Sequence, residues 1–386
     1  MTKVFILAVE NSADHLGAEL VTALRSQQSD LTFAGIGGRA MSAVGVPSQM
    51  DIDGLAILGF VEGLKSYPMI LRKVYEAGQR IMQSGADAVV LIDSWGFMIR
   101  VAKELRKQGY TGKIIKYVAP QVWAMREGRA KILARHVDHL LTIHSFDAPY
   151  FEQYGLPVHY VGNPVFDTDY RAGDGQSLRD QYDLGERPIV SIFFGSRPSE
   201  IARLAAPFAD AIELLRMEFP DLAFISPVSN SVSKIVLGKA GEDLRLQEVI
   251  FLPEDRKIDT MAASRVALAC SGTMTTQLAS AGVPTVVAYK LAGLTYFAAK
   301  RLFKPDYISI VNIAADALLM PEFIQDDVTG EVLAEAVATY LCDPAQEKSA
   351  ARALLDQTDK MRGEGGKASD RAALAIIDIL AEGLSL

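Results

Sequence analysis

Residues 193–200 read Phe-Phe-Gly-Ser-Arg-Pro-Ser-Glu, and they join a short apolar run at 188–192 to a helical run that begins near Ile201. This order of strand, glycine turn and helix start is typical of a parallel sheet, and it presents free backbone N–H groups beside Arg197. A phosphate fits such a turn. An ordinary strand-to-helix turn with a solvated arginine has the same pattern, so the motif alone leaves both interpretations open.

The composition indicates a globular chain of two domains. At 386 residues, with 49% hydrophobic and 22% charged residues, the chain is long for one hydrophobic core. Cys270 and Cys342 stand apart from any Cys/His cluster, which predicts no metal site and a reducing compartment. The net charge of −8 at pH 7 argues against non-specific nucleic-acid binding. The apolar run at 4–9 turns polar at Glu10, which predicts a buried first strand and a cytoplasmic location.

Apolar runs alternate with helical runs along the whole chain. The apolar runs lie at 4–9, 31–36, 88–92, 113–118, 139–143, 189–194, 223–227, 249–252, 266–270 and 285–289. Continuous apolar strands of this kind are buried on both faces, which predicts parallel sheets covered by helices. A polar stretch at 171–176 separates two halves. We therefore predict domains at 1–168 and 177–365, with a last helix at about 367–386 that packs back on the first domain.

Polar residues follow several of these predicted strands, and open α/β sheets bind ligands at such strand ends. Asp93 follows the run 88–92 directly, where a carboxylate is placed to take a proton, although a structural loop aspartate is also common there. Ser12 and Asp14 are either helix caps or ligand contacts. Residues 271–273, Ser-Gly-Thr, repeat the strand, turn and helix start of the first anion turn. Two such turns in one domain predict a site for a nucleotide diphosphate and its sugar.

Two stretches combine apolar residues with cations. The first extends over 55–71 and precedes Arg72 and Lys73, and the second lies at 296–304. Each is either an amphipathic core helix or a surface that lies on a membrane and holds acyl chains. On a membrane, the expected contacts with anionic headgroups are Arg72, Lys73, Lys300, Arg301 and Lys304. Glu62 lies within the first stretch, and an acidic residue among apolar ones needs a partner or a task.

Several short segments carry a resemblance to one known family. They are Glu10-Asn11-Ser12-Ala13-Asp14, Leu16-Gly17-Ala18, Gly59-Phe60-Val61-Glu62, Ile92-Asp93, residues 118–124, residues 161–164, Gly195-Ser196-Arg197, Ser271-Gly272-Thr273, residues 306–312, Pro321-Glu322 and Gln325. Through these segments the chain resembles the lipid-A-disaccharide synthases, a family of GT-B glycosyltransferases, over nearly its whole length. The resemblance implies an α/β fold of two Rossmann-like domains whose parallel sheets face across a cleft.

The resemblance implies an inverting hexosyltransferase of lipid A and lipopolysaccharide biosynthesis. Such an enzyme transfers 2,3-diacylglucosamine from its UDP derivative to the 6-hydroxyl of 2,3-diacylglucosamine 1-phosphate, and it forms a β-1,6 bond. The implied location is the cytoplasm of a bacterium, peripheral on the inner membrane. No metal or cofactor is implied, because helix ends and Arg197 would hold the diphosphate.

The resemblance also assigns roles to residues. Asp93 is the expected general base, and Glu10 and Glu62 are the other candidate catalytic residues. The expected contacts with substrate and UDP are Ser12, Asp14, Gly195, Ser196, Arg197, Ser271, Gly272, Thr273, Gln277 and Asn312.

The sequence departs from the family's pattern at several positions. Val9 and Ala13 replace two glycines of the first loop, Gly96 replaces an acidic residue, and Gln277 replaces a glutamate that is a candidate for the ribose hydroxyls. A diverged relative that acts on another lipid or sugar, or that binds without turnover, therefore stays an alternative. A UDP-sugar epimerase is a weaker alternative, because it does not need the apolar stretch at 55–71.

Overall fold

The computed structural model describes residues 2–52, 55, 67–292, 303 and 305–382. Over these residues the chain forms two compact units. Unit 1 contains the chain up to Pro164 together with the residues from Gly363 onward, and unit 2 contains Val165–Arg362. Each unit has a six-stranded sheet among the described residues, and all strand pairs are parallel. The predicted α/β class with two parallel sheets is confirmed.

Unit 1 alternates short strands with helices. Its strands are β1 (Lys3–Leu7), β2 (Thr32–Ile36), β3 (Ala88–Ile92), β4 (Lys113–Tyr117), β5 (His139–Thr142) and β6 (Val158–Tyr160). Its helices before the chain enters unit 2 are α1 (Asn11–Gln27), α2 (Arg39–Ala43), α3 (Tyr67–Ser84), α4 (Trp95–Lys107), α5 (Gly128–Ala134) and α6 (Ala148–Glu152).

Unit 2 follows the same plan. Its strands are β7 (Ile189–Phe193), β8 (Ala223–Val228), β9 (Ile250–Pro253), β10 (Val266–Cys270), β11 (Thr285–Tyr289) and β12 (Glu322–Ile324). Its helices are α7 (Gly175–Gln181), α8 (Pro198–Glu218), α9 (Ser233–Glu242), α10 (Lys257–Ala263), α11 (Thr273–Ala281), α12 (Ile310–Ala315), α13 (Gly330–Cys342) and α14 (Pro344–Arg362). The chain then returns to unit 1 as α15 (Ala368–Glu382). Single 3₁₀ turns lie at Pro164–Asp167, Leu244–Leu246, Glu254–Arg256 and Gln325–Asp327.

The strand order reverses once in each sheet. Unit 1 has the order β2-β1-β3-β4-β5-β6, so the reversal lies between β1 and β3. Unit 2 has the order β12-β11-β10-β7-β8-β9, so its reversal lies between β7 and β10. Loops diverge to opposite faces at such a point and leave a crevice at the carboxyl ends of the strands. The predicted site residues Glu10 and Asp93 follow β1 and β3, and the two predicted anion turns follow β7 and β10.

The central strands are buried on both faces, which explains their continuous apolar sequences. Every residue of β3, β7 and β10 is buried, so each strand must be covered by helices above and below the sheet. In unit 2, α13 packs on α8 over one face, and Leu333 and Val337 of α13 enter the same apolar core as Leu204 of α8.

The last helix, α15, completes unit 1 by packing on α1. The Gln27 side chain donates to the Asp370 carbonyl (3.0 Å), and Arg371 Nε donates to the Val161 carbonyl (2.8 Å). The change of unit comes earlier than the predicted linker at 171–176. The reason is that Phe166 and Tyr170 are 1% and 4% exposed and belong to apolar cores of unit 2.

The predicted membrane-facing stretches are described only in part. Residues 56–66, 296–302 and 304 lie outside the described residues. Among the helices that are described, none combines the length and the apolar character needed to span a bilayer.

Candidate functional site

A cavity of about 300 Å³ lies in unit 2 at the carboxyl ends of β7 and β10. Its position is the reversal point of the sheet, where open α/β sheets bind ligands. The predicted turns at 195–197 and 271–273 both line it, together with Glu200, Lys257 and Gln277. The structure therefore brings the two predicted anion turns into one site.

The turn at 195–197 is closed by a carboxylate of the protein itself. Glu200 Oε2 accepts hydrogen bonds from the backbone N–H groups of Ser196 (3.0 Å) and Arg197 (3.2 Å). Gly195 has a φ of 107°, and a Cβ there would lie 2.6 Å from Glu200 Oε2, so the turn requires glycine. The expectation of free N–H groups at this turn is wrong for Ser196 and Arg197, because the buried Glu200 carboxylate already occupies both.

Arg197 pairs with the same carboxylate and keeps donors for a ligand. Its Nη1 lies 2.8 Å from Glu200 Oε1, while 64% of its side chain is exposed. A guanidinium carries five N–H donors, so Arg197 can bind an anion without leaving Glu200. Because the pair is electrically neutral, Arg197 attracts a phosphate less strongly than an unpaired arginine would.

The start of α11 lines the same cavity. This helix begins at Thr273 after Gly272, and no side chain among the described residues caps it. The backbone N–H groups of Thr273 and Met274 have no acceptor among the described residues. Lys257, the first residue of α10, adds a cation to the same cavity. Unpaired N–H groups at a helix start, with a lysine beside them, favour the binding of an anion.

Gln277 adds an acceptor to the cavity. Its side-chain Oε1 is buried and has no hydrogen-bond partner among the described residues, and the residue lines the cavity. A buried carbonyl oxygen without a donor costs free energy. A hydroxyl or N–H group of a ligand would remove that cost, which suits Gln277 to the contact predicted for it.

The reversal point of the unit 1 sheet carries Glu10 and Asp93. The Ser94 hydroxyl donates a hydrogen bond to the Glu10 carboxylate. Asp93 and Ser94 have positive φ angles of 51° and 36°, a conformation that costs a non-glycine residue about 1–3 kcal/mol. Strained backbone of this kind clusters at functional sites, so the geometry favours a functional Asp93 over a simple loop aspartate.

Lys116 joins this group, although sequence reasoning did not single it out. It is 2% exposed, and its Nζ donates to the carbonyl oxygens of Asp93 (2.7 Å) and Tyr117 (2.9 Å). Burial lowers the pKa of Lys116 to about 7, while the carboxylates of Asp93 and Glu10 act in the opposite direction. The one signal in the sequence is a lysine inside the apolar run 113–118.

Asp14 and Ser12 do not join these groups. Asp14 is 2% exposed, and its carboxylate accepts hydrogen bonds from the backbone N–H groups of Gly38, Ala40 and Met41. These are the first residues of α2 and the residue before it, so Asp14 holds the start of that helix. Ser12 is exposed in the first turn of α1. Asp14 therefore caps α2 and not α1, the helix in which it lies. These contacts give no support to a ligand contact of Asp14.

Asn312 is used entirely inside unit 2. Its Nδ2 donates to the Met320 carbonyl (2.8 Å) and to Glu322 Oε1 (2.9 Å), and its Oδ1 accepts the N–H groups of Leu319 and Met320. The side chain is fully buried, so these contacts give no support to a ligand contact of Asn312.

Glu62, the third candidate catalytic residue, lies outside the described residues. Over the part of the chain that the structure describes, no three His, Cys, Asp or Glu side chains form a group suited to a metal ion.

The sequence of this chain is similar to known proteins over nearly its whole length. A family model described as lipid-A-disaccharide synthetase matches residues 4–377. The lipid-A-disaccharide synthase of Paramagnetospirillum magneticum is 38% identical over 384 residues, which cover 98% of this chain and 98% of that protein.

Two solved structures resemble this chain in fold, and at 11% and 12% sequence identity the likeness is evidence about the fold alone. A UDP-GlcNAc 2-epimerase from Neisseria meningitidis, bound to UDP-GlcNAc, aligns with a TM-score of 0.61 and 11% identity, and covers 99% of this chain and 100% of that one. An α,α-trehalose 6-phosphate synthase from Burkholderia multivorans aligns with a TM-score of 0.56 and 12% identity, and covers 100% of this chain and 99% of that one. The predicted GT-B fold class is confirmed by these likenesses. With a family model matched over nearly its whole length, this chain belongs to the lipid-A-disaccharide synthetase family of glycosyltransferases.

Proposed function

We propose that this protein transfers 2,3-diacylglucosamine from its UDP derivative to the 6-hydroxyl of 2,3-diacylglucosamine 1-phosphate, with inversion, in lipid A biosynthesis. The observation that carries the donor side is the uncapped start of α11 beside Lys257, within a cavity that Arg197 also lines. These groups suit a diphosphate, and the unpartnered Gln277 Oε1 suits a hydroxyl of the attached nucleoside.

Asp93 acts on the acceptor in this proposal. Its carboxylate takes the proton of the acceptor 6-hydroxyl while that oxygen attacks the anomeric carbon of the donor sugar. The bond from that carbon to the UDP oxygen breaks in the same step. The negative charge that develops on the diphosphate is stabilised by Arg197, Lys257 and the start of α11. Attack from the face opposite to the leaving group inverts the configuration.

The departures from the family pattern leave room for this reaction. The side chains of Val9 and Ala13 are 2% and 0% exposed and pack into apolar cores, so their added carbon atoms do not enter an open loop. A Cβ at Gly96 would meet only Arg100 Nη1, at 3.6 Å. Gly96 is exposed, so the absence of an acidic side chain there leaves open space beside Asp93 and obstructs nothing.

We further infer that unit 1 binds the bacterial inner membrane from the cytoplasm. Helix α3 exposes Tyr67, Leu71 and Tyr75, which are 45%, 44% and 57% exposed and spaced four residues apart. Arg72 is exposed beside them, and the Arg100 guanidinium lies 5.6 Å from the Tyr67 ring centre. An aromatic and apolar stripe edged by cations is typical of a helix that lies on anionic lipid.

The prediction that Lys73 contacts lipid headgroups is wrong, because this lysine is buried in unit 1. It is 8% exposed, donates to the Asp51 carbonyl (2.5 Å), and lies 3.6 Å from the Asp51 carboxylate. Its charge is therefore used inside unit 1. Lys300, Arg301 and Lys304, the other predicted headgroup contacts of this kind, lie outside the described residues.

The proposed reaction is tested with purified protein, the UDP-linked diacyl sugar and the diacyl sugar 1-phosphate. We expect a disaccharide phosphate, found by mass spectrometry, and one UDP released for each disaccharide formed. The matched control omits the acceptor. Isomerised UDP-sugar in that control would indicate an epimerase, and UDP binding without turnover on either substrate would indicate a binding protein.

A further inference from the structure

Lys116 ties the ends of two neighbouring strands together at the sheet edge where Asp93 lies. It is on β4, which pairs with β3 from Ala88 to Ile92. Its Nζ reaches the Asp93 carbonyl, one residue past β3, at 2.7 Å, and the Tyr117 carbonyl on its own strand at 2.9 Å. The backbone N–H of Asp93 donates to the same Tyr117 carbonyl at 2.9 Å. One buried amine thus completes a closed set of hydrogen bonds around the Asp93 backbone.

The backbone that this amine holds is strained on both strands. Asp93 and Ser94 have φ angles of 51° and 36°, and Val118, which follows β4, has a φ of 69°. A β-branched residue is rare in this region because its side chain crowds the backbone. Such conformations persist only where surrounding contacts over-determine them. The hydrogen bonds of Lys116 are contacts of that kind, because they fix the carbonyl oxygens of Asp93 and Tyr117.

We propose that Lys116 is a positioning residue of the transfer reaction: its two hydrogen bonds fix the left-handed turn at Asp93, and so aim the Asp93 carboxylate at the acceptor hydroxyl. The proposal rests on the proposed function, in which Asp93 is the general base. Lys116 itself is too deeply buried to touch a substrate, so it acts through Asp93.

A lysine suits this task. A neutral amine has two N–H groups and an ammonium has three, so either form can serve both carbonyl oxygens. Burial lowers the pKa of Lys116 to about 7, and the two charged groups that oppose this effect are the carboxylates of Asp93 and Glu10.

The first test is Lys116→Met, which keeps the length and apolar stem of the side chain but removes both hydrogen bonds. We expect kcat to fall by about 10²-fold, the cost of a small misplacement of a catalytic group, with KM nearly unchanged. Lys113→Met is the matched control, because Lys113 lies at the other end of β4 and is partly exposed. That control is expected to keep wild-type kcat.

A double-mutant cycle separates positioning from general destabilisation. If Lys116 acts through Asp93, Lys116→Met has little further effect on kcat in an Asp93→Asn background, whereas a merely structural role lowers kcat equally in both backgrounds. Lys116→Gln, which is smaller and keeps an N–H donor, serves if the Met variant does not fold, and we then expect the same non-additivity. Wild-type kcat in a folded Lys116 variant, or equal losses in both backgrounds, overturns the proposal. Failure of the proposed function is distinct, because the wild type would then form no disaccharide. An active Asp93→Asn variant would show instead that Asp93 is not the general base.

Discussion

Arg197 and Glu200 form an ion pair in the cavity of unit 2, and this pair changes the meaning of the motif at 193–200. Glu200 is three residues after Arg197, the spacing of a capping box, in which a glutamate accepts the N–H of the residue before its helix. Its carboxylate therefore stabilises the start of α8. A bound phosphate would be the second anion that Arg197 contacts.

Arg197→Ala is expected to weaken UDP binding by roughly tenfold, which is the low end for a hydrogen bond to a charged group, since Arg197 is largely exposed and already paired. Calorimetry with UDP measures the change. Arg203→Ala is the matched control, because Arg203 is on the same helix and donates to the Ser199 carbonyl. Equal UDP affinity of wild type and Arg197→Ala would place the diphosphate away from the turn at 195–197.

Asp93→Asn is expected to lower the transfer rate by about 10²–10⁴-fold, the usual contribution of a general base. Asparagine tolerates a positive φ as well as aspartate does, so the turn at Asp93 should keep its φ of 51°. UDP affinity and the thermal unfolding temperature should therefore stay at wild-type values. Near-normal turnover would make Asp93 a structural residue, and Glu10 would be the next candidate base to test.

At the residue scale, the sequence allowed us to predict which residues follow the strands, but not which groups their side chains contact. Asp93 and Arg197 could be selected because each follows a buried strand, and strand ends are visible in the sequence. The use of Asp14 and Asn312 inside the protein could not be foreseen. Their partners, such as the Gly38 and Met320 backbones, become neighbours only through the fold. The burial of Lys116 is likewise a property of the assembled sheet.

At the scale of elements, the buried central strands were predictable, whereas the two shortest strands, β6 and β12, were not. β3 and β10 are continuous apolar runs in which every residue is buried. β6 and β12 have three residues each, all of them half-buried, so they lack the pattern that marks a central strand. Both short strands lie at sheet edges, where pairing with a single neighbour determines the structure.

Helix α11 allows a test of the backbone N–H groups themselves. Thr273→Pro removes one N–H at the first helical position, where proline is well tolerated because its φ fits the helix. We expect UDP affinity to fall by about tenfold, from the loss of one hydrogen bond to a charged group. Thr273→Ala is the control, since it removes the same hydroxyl but keeps the N–H. Equal affinities of the Pro and Ala variants would show that this N–H does not contact the ligand.

At the scale of the whole molecule, each unit has its own core and its own proposed task. The cavity proposed to bind the donor lies within unit 2, whereas Asp93, Lys116 and the exposed stripe of α3 lie within unit 1. Unit 1 is completed only when the chain returns as α15, which packs on α1. Substitutions on the α3 stripe should therefore change membrane binding without changing UDP binding, and this separation makes the membrane proposal testable.

The test is sedimentation with anionic and neutral vesicles of the wild type, Tyr67→Ser/Leu71→Ser and Arg72→Glu. These side chains are exposed, so the substitutions should leave folding intact. We expect both variants to bind anionic vesicles less than the wild type does. The double serine variant loses apolar burial in the interface, and Arg72→Glu loses about 1 kcal/mol of headgroup attraction that salt also weakens. Leu237→Ser/Leu244→Ser, an equally apolar exposed pair in unit 2, is expected to bind like the wild type. If wild-type protein stays in the supernatant at low salt, the α3 stripe is an ordinary exposed helix face, and the lipid substrates must reach unit 1 by another surface.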